Sequence, residues 1–385
     1  MKVAIIIERT DTALGGAERS VSQLADALSQ KGVDVTILAA KGDSPSKNVK
    51  QLYADTAGKR ISLSVFLQAI KDHLKQNTYD IVHSTLPLDF ADIYQPRGGS
   101  YLEAMIRNAD SYQSCFVSSF KKMTHFTNRR RFEMIKAEKR ICRDCPNIKI
   151  AALSEYVKKQ FIAHYNIDES RIATIANGIA LKTPSNSDEV SSIRAKWCDI
   201  LGIKNEPILL FAANNFRLKG LASLIKAMAL NDEAYLVVAG SGKPDKYLKL
   251  AERLNIAGRI LFAGTISDIT PAIAASDAVI LPTYYDPCSR FILEGLAAEK
   301  PVITTKFNGA AEMFADGTHG RIISQPDDVK GLTEAIAFCT NPDNAENMSK
   351  AIAQDSLRDK ISIDRHVREM IQLYEEIIQT RSSIQ

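Results

Sequence analysis

Asp286 and Glu294 stand eight residues apart within the segment Thr283 to Leu296 of a 385-residue chain. An ionised carboxylate accepts two hydrogen bonds, so acids at either end of a short site suit the paired hydroxyls of a sugar or ribose. Between them, Ser289, Arg290, Phe291 and Ile292 open an expected helix, whose first backbone amides lack intrahelical partners and favour phosphate oxygens. A second segment, Asn214-Asn215-Phe216-Arg217-Leu218-Lys219-Gly220, follows a strand and precedes a helix. Arg217 and Lys219 there could neutralise a leaving diphosphate, whose charge grows in the transition state of sugar transfer. A third, Gly15-Gly16-Ala17-Glu18-Arg19, has two glycines that let backbone amides approach an anion such as a diphosphate. Plainer readings stand beside these: surface acids flanking a helix start, solvated cations and a tight turn. No GxGxxG fingerprint follows the first strand, which weakens a dehydrogenase reading.

Such residues need loops held at the ends of strands. Val3 to Ile7 is a continuous apolar strand, Val21, Leu24, Ala25 and Leu28 recur at helical spacing, and Val33 to Ala39 is a second apolar strand. Strands at Tyr79 to His83 and Ile148 to Leu153 extend the pattern. Thr183 to Glu189 turns polar and reads as a linker. Beyond it the alternation restarts, with strands at 207–213, 235–239, 260–263, 278–281 and 302–305 and helices at 221–230, 247–254, 269–275 and 290–298. Continuously apolar strands alternating with helices imply parallel sheets covered on both faces. The expected architecture is two Rossmann-like, doubly wound α/β domains facing a cleft, with chemistry in the loops after the strands. The boundaries fall at 1–183, 184–363 and 364–385, the last part carrying Val367, Met370, Ile371, Tyr374 and Ile377 as an amphipathic helix.

Composition bounds the class. With 45% hydrophobic and 24% charged residues the chain is neither collagenous, coiled-coil nor largely disordered. The net charge of +4 does not announce a nucleic-acid binder. Six cysteines in this length do not make a secreted disulfide framework, and the apolar run at the N-terminus is too short for a signal peptide or a span, so a cytoplasmic protein with at most peripheral membrane contact is expected. Cys142-x-x-Cys145 has no second pair to complete a zinc site.

The order Gly15-Gly16, Ser154-Glu155-Tyr156-Val157, Asn177-Gly178-Ile179, Arg217 with Lys219-Gly220, Asp286 to Glu294, Pro301-Val302-Ile303 and Gly309-Ala310-Ala311-Glu312 resembles retaining nucleotide-sugar glycosyltransferases of family 4. The resemblance covers most of the chain. It implies the glycosyltransferase type B fold, an acceptor-binding first domain, a donor-binding second domain and a terminal helix crossing back to the first. It also implies roles: Glu294 holds the nucleotide ribose and Asp286, where the family has Glu, the donor sugar. Arg217 and Lys219 clamp the diphosphate with the amides of Gly15, Gly16, Phe291 and Ile292, and Glu312 lies near the nucleotide. No metal and no cofactor beyond the nucleotide-sugar donor, a UDP-sugar, is implied. Asp92 and His83 are the first-domain polar residues expected nearest the acceptor hydroxyl.

Leu86 to Tyr94 and the basic stretch after it look most like the glucosyltransferase I branch of lipopolysaccharide core synthesis. From Lys121 to Arg143 there are nine basic residues, Lys121, Lys122, Arg129, Arg130, Arg131, Lys136, Lys139, Arg140 and Arg143, against Glu133 and Glu138. Interleaved with Phe120, Met123, Phe126, Phe132, Met134 and Ile135, they suit an anionic membrane surface, or else a solvated helical hairpin. A sugar-nucleotide epimerase and a two-lobed sugar-binding protein remain as alternatives on the same architecture.

Overall fold

The apolar run near the N-terminus becomes strand β1 (Lys2–Arg9), in which Val3 to Ile6 are wholly buried because helices cover both faces of its sheet. The computed structural model describes residues 1–11, 15–41, 48–52, 62–112, 129–181 and 186–383. These form two units. Unit 1 takes its described residues from 1–103, 124–180 and 362–385, and unit 2 from 104–123 and 181–361.

Unit 1 continues through α1 (Gly16–Gln30), β2 (Asp34–Lys41), β3 (Val49–Gln51), α2 (Leu63–Gln76), β4 (Ile81–Ser84), β5 (Ile93–Tyr94) and the start of α3 (Tyr101–Asp110). It resumes with α4 (Arg129–Asp144), β6 (Lys149–Ala152), α5 (Glu155–Tyr165) and β7 (Ile172–Thr174). The seven strands pair in the order β3-β2-β1-β4-β5-β6-β7, every pair parallel. The order reverses between β1 and β4, so the loops after these two strands part to opposite sides.

In unit 2 the elements are α6 (Ser187–Leu201), β8 (Ile208–Ala212), α7 (Leu221–Met228), β9 (Tyr235–Ala239), α8 (Asp245–Arg253), β10 (Ile260–Gly264), α9 (Thr270–Ala275), β11 (Ala278–Leu281), α10 (Arg290–Ala297) and β12 (Val302–Thr305). They are followed by β13 (Gly320–Ile323), α11 (Val329–Thr340), α12 (Pro342–Gln354) and α13 (Leu357–Lys360). The six strands are again all parallel, in the order β10-β9-β8-β11-β12-β13. Here the switch lies between β8 and β11, and Ile208 to Phe211 in β8 have no exposed surface.

Two expectations are corrected. Ser187 to Glu189, read as linker, form the first turn of α6, where the Asn186 side chain accepts from the Asp188 amide. Polar residues open a helix as readily as they fill a loop. The described residues from Ala104 to Tyr112, placed in the first domain by their position in the chain, cluster with unit 2 instead.

The last helix, α14 (Ile363–Ser382), belongs to unit 1. Its Val367, Met370, Leu373, Tyr374 and Ile377 share one core with Val21, Leu24, Ala25 and Leu28 of α1. The Ile363 amide donates to the Ile179 carbonyl at 2.8 Å and fixes where the helix starts. At Gly178, a side chain would begin 2.7 Å from the His366 Cβ, so this crossing needs a glycine.

On the other flank of the sheet, α4 buries Met134, Glu138, Ile141 and Cys142 and exposes Arg129, Lys136, Lys139, Arg140 and Arg143. Met134, read as part of a membrane-facing surface, packs instead with Phe66, Ile70 and Leu86. Helical spacing explains this, because 134, 138, 141 and 142 form one stripe. Cys142 is also core, and burial pushes its thiol pKa up. Arg171 collects the carbonyls of Ile141, Cys142, Cys145 and Ile148 and so closes the end of α4.

Glu138 has no exposed surface. It accepts from the hydroxyls of Tyr94 (2.9 Å), Tyr165 (2.6 Å) and Ser100 (3.1 Å) and from the Tyr101 amide (2.9 Å) at the start of α3. Burial raises its pKa to about 7 in spite of these four donors, which pull the other way. A carboxyl group raised on folding adds stability that is complete below its unfolded pKa and is lost as pH rises through the folded one. The urea midpoint of unit 1 should therefore fall between about pH 5 and pH 8. Glu138→Gln should flatten that decline, as measured by urea unfolding at fixed ionic strength.

Candidate functional site at the switch of unit 2

The loops after β8, β9, β11 and β12 meet at the carboxyl edge of the second sheet. Gly220, which precedes α7, has φ +78 and lies so close to β11 that a Cβ would stand 2.0 Å from the Pro282 carbonyl oxygen. Only glycine allows both that backbone and that approach. The loop after β9 comes as near: at Gly240, with φ +132, a Cβ would lie 1.8 Å from the Ala213 carbonyl oxygen.

Contact across the switch is ionic. Lys219 Nζ donates to Asp286 Oδ2 at 2.6 Å and to the Tyr285 carbonyl at 3.0 Å, with both charged side chains less than one-fifth exposed. The Cys288 amide donates to Asp286 Oδ1 at 3.2 Å, so each carboxylate oxygen is oriented. Asp286 is also fixed through its backbone, its amide bonding to the Phe307 carbonyl and its carbonyl accepting from Gly309.

Asn308 holds the start of α10. It is 1% exposed, its Oδ1 accepts from the amides of Ser289 and Ala310, and its Nδ2 donates to Thr304 Oγ1. Thr305 and Thr283 complete the clasp through their hydroxyls, which donate to the carbonyls of Thr283 and Tyr285. Ser289 caps α10 by position but with no side-chain hydrogen bond, so the first amides, including those of Phe291 and Ile292, have no capping side chain. Glu294, on the next turn, lies 3.6 Å from Arg290. Glu312 is exposed on the short 3-10 turn after β12.

Arg217 is engaged differently from the sequence expectation. Its guanidinium lies 3.9 Å from the centre of the Tyr112 ring and donates to Asn108 and Ser111. Lys246, in the first turn of α8, has its pKa lowered by partial desolvation and then by the charge of Arg217. Neither it nor Asn308, Asn108, Ser111 and Tyr112 stood out in the sequence. An Asn-Gly pair after a strand was a signal for Asn308, but it reads first as a turn.

In unit 1, Gly15 and Gly16 do start α1 after β1. Gly15 is extended, at φ −178, so its backbone does not require a glycine. A Cβ there would lie 3.0 Å from the carboxylate of Glu18, in the first turn of α1.

Asp92 is misplaced by the sequence reading. It precedes β5 and so sits at the amino edge of the sheet, opposite the edge where ligands bind, and its carboxylate takes the Val82 amide at 2.7 Å and the Arg381 guanidinium. His83 is inside β4, wholly buried, with Nδ1 2.7 Å from the Tyr374 hydroxyl. Burial, then the charge of Arg97, lowers its pKa to about 3 and keeps it neutral.

Residues 14–183 match the family described as Glycosyltransferase Family 4, and residues 194–355 match Glycosyl transferases group 1. The lipopolysaccharide glucosyltransferase WaaG of Escherichia coli (strain K12) is 24% identical over 331 residues, which are 84% of this chain and 85% of that protein. The crystal structure of WaaG superposes with a TM-score of 0.70 at 21% identity, covering 99% of each chain. HepE of Anabaena, in complex with UDP and glucose, gives a TM-score of 0.71 at 17% identity over 98% of this chain and all of the other. The shared architecture is the glycosyltransferase type B fold.

The close approach at Gly220 sets a stability test. Gly220→Ala should cost several kcal/mol by the estimate of roughly 1–3 for strain alone plus the clash, or prevent folding of unit 2. Gly202→Ala is the control: with φ +69 and nothing within 4 Å of a Cβ, it should cost only about 1 kcal/mol. Urea unfolding of both variants measures the difference.

Proposed function

Because the chain belongs to the glycosyltransferases of family 4 and group 1, we propose that it moves a hexose, glucose first among them, from a UDP-sugar to a saccharide acceptor. Configuration at the anomeric carbon is retained and no metal takes part. The acceptor is lipid-linked, of the lipopolysaccharide core kind, as the likeness to WaaG supports. The observation that carries this reading is the Lys219 to Asp286 pair beside the uncapped start of α10.

A diphosphate at that start receives the amides of Phe291 and Ile292 and the charges of Lys219 and Arg217. The two negative charges that build on departure are met by fixed donors, so little reorganisation is needed in the transition state. Glu294, one turn into α10, accepts from the ribose hydroxyls, and Asp286, its carboxylate already oriented, accepts from hydroxyls of the donor sugar. With the leaving diphosphate held on the face where the acceptor hydroxyl attacks, its oxygen can take the acceptor proton and no covalent enzyme intermediate is required. A divalent cation would only repeat the charge that Lys219 and Arg217 supply.

No helix among the described residues is long and apolar enough to cross a membrane. The exposed Arg129, Lys136, Lys139, Arg140 and Arg143 of α4 give the protein a basic face for the anionic lipids of the cytoplasmic leaflet, to which it attaches peripherally. Lys121, Lys122 and the aromatic residues up to 128 lie outside the described residues.

Lys219→Ala and Glu294→Ala should each lower transfer from UDP-glucose by roughly 100-fold or more while circular dichroism stays unchanged. Proton NMR of the wild-type product should show the donor's anomeric configuration, and EDTA should leave the rate unaltered. Lipid binding is tested separately: co-sedimentation with vesicles containing phosphatidylglycerol should weaken steeply as salt rises, whereas neutral vesicles should bind little.

A further inference from the structure

Arg217 is held by the far end of α3. Its Nη1 donates to the Asn108 carbonyl at 2.8 Å and to Ser111 Oγ, and its Nη2 donates to Asn108 Oδ1 at 2.9 Å. Ser111 is buried, and its hydroxyl donates in turn to the Asn108 carbonyl at 2.7 Å, which closes a small ring of hydrogen bonds. The Tyr112 ring covers one guanidinium face at 3.9 Å. One residue before Asn108, Arg107 stacks over Phe307 at 4.2 Å, so the helix end is fixed to the loop after β12 as well. All these residues belong to unit 2.

A guanidinium carries five N–H donors. Three are used here, both on Nη1 and one on Nη2. The Nε–H and the second Nη2–H have no hydrogen-bond partner among the described residues. Those two hydrogens form the side edge of the fork, the geometry that takes two oxygens of one phosphate. We propose that Asn108, Ser111 and Tyr112 are positioning residues for the donor diphosphate, fixing the end and face of the Arg217 guanidinium so that its side edge stays available to phosphate. Left unheld, Arg217 would have to give up rotamer freedom on binding, and affinity would fall by that amount. The inference rests on the donor site proposed above. It adds to that site a helix distant in sequence, which acts through Arg217.

The test uses the full chain and reads UDP affinity by calorimetry together with donor KM and kcat. Asn108→Ala and Ser111→Ala should each raise the Kd for UDP and the donor KM about tenfold with kcat changed less than about twofold, the pattern of lost uniform binding. Tyr112→Phe, which keeps the ring face, should stay within about twofold of wild type, and Tyr112→Ala should not. In an Arg217→Ala background, Asn108→Ala should have no further effect. An unchanged or tighter Kd in Asn108→Ala would overturn the proposal, since the contacts would then be idle or would block the site. An equal loss in the Arg217→Ala background would overturn it too. If wild type binds UDP and Lys219→Ala weakens it, those results sink the positioning role alone. If wild type fails to bind UDP, the donor reading falls and this inference with it.

Discussion

The ion pair between Lys219 and Asp286 is the constraint on which the carboxyl edge of unit 2 rests. It joins the loops after β8 and β11, the two strands that flank the reversal of strand order, and so spans the place where a doubly wound sheet opens a crevice. Pairs of this kind add little net stability, because what attraction gives is largely taken back by desolvation and by ordering of the side chains. The importance here is geometric. Asp286 is aligned through both carboxylate oxygens and through its own amide and carbonyl, so the ammonium group of Lys219 is anchored to a fixed point. Asn308 then places the start of α10 relative to that point by bonding the Ser289 amide. One anchored cation is thereby fixed relative to the start of α10.

Polar groups inside unit 1 are arranged for the opposite purpose. His83 and His366 are buried and neutral, their pKa values lowered chiefly by burial, and each gives Nδ1 to a neighbour: His83 to Tyr374, His366 to the Ala176 carbonyl. Glu138 likewise satisfies four donors within the protein. Glu138 is fully engaged in this way, whereas each histidine uses only Nδ1 and keeps Nε2 buried with no partner among the described residues. At the switch of unit 2, by contrast, the first amides of α10 have no capping side chain.

The central strands were legible because a parallel sheet covered on both faces demands unbroken apolar runs, as at Ile208 to Phe211 and Ala278 to Leu281. The placement of Asp286 in a loop and of Glu294 in the helix after it was legible because a strand, a loop and a helix follow each other within a dozen residues. Asp92 was placed at the wrong edge because β5 contains only Ile93 and Tyr94, too short to show in a pattern of alternation, so its direction could not be counted. The hold on Arg217, read as a diphosphate clamp, left no trace in the sequence since its partners Asn108 and Ser111 lie more than 100 residues earlier, beyond the reach of local spacing. The start of α6 was lost for a chemical reason: Asn186 and the acids after it are cap residues, and cap residues are also loop residues.

The helix α14 gives the molecule an order of assembly. Tyr374 reaches His83 across 291 residues, and the core under α1 includes five side chains from this last helix. During synthesis from the N-terminus, the first sheet leaves the ribosome long before the surface that seals it, while the whole of unit 2 intervenes. Closing so long a loop is slow, and until it closes the core that Val21, Leu24 and Leu28 share with the first sheet lacks the five side chains of α14. The sheet made first therefore belongs to the unit completed last.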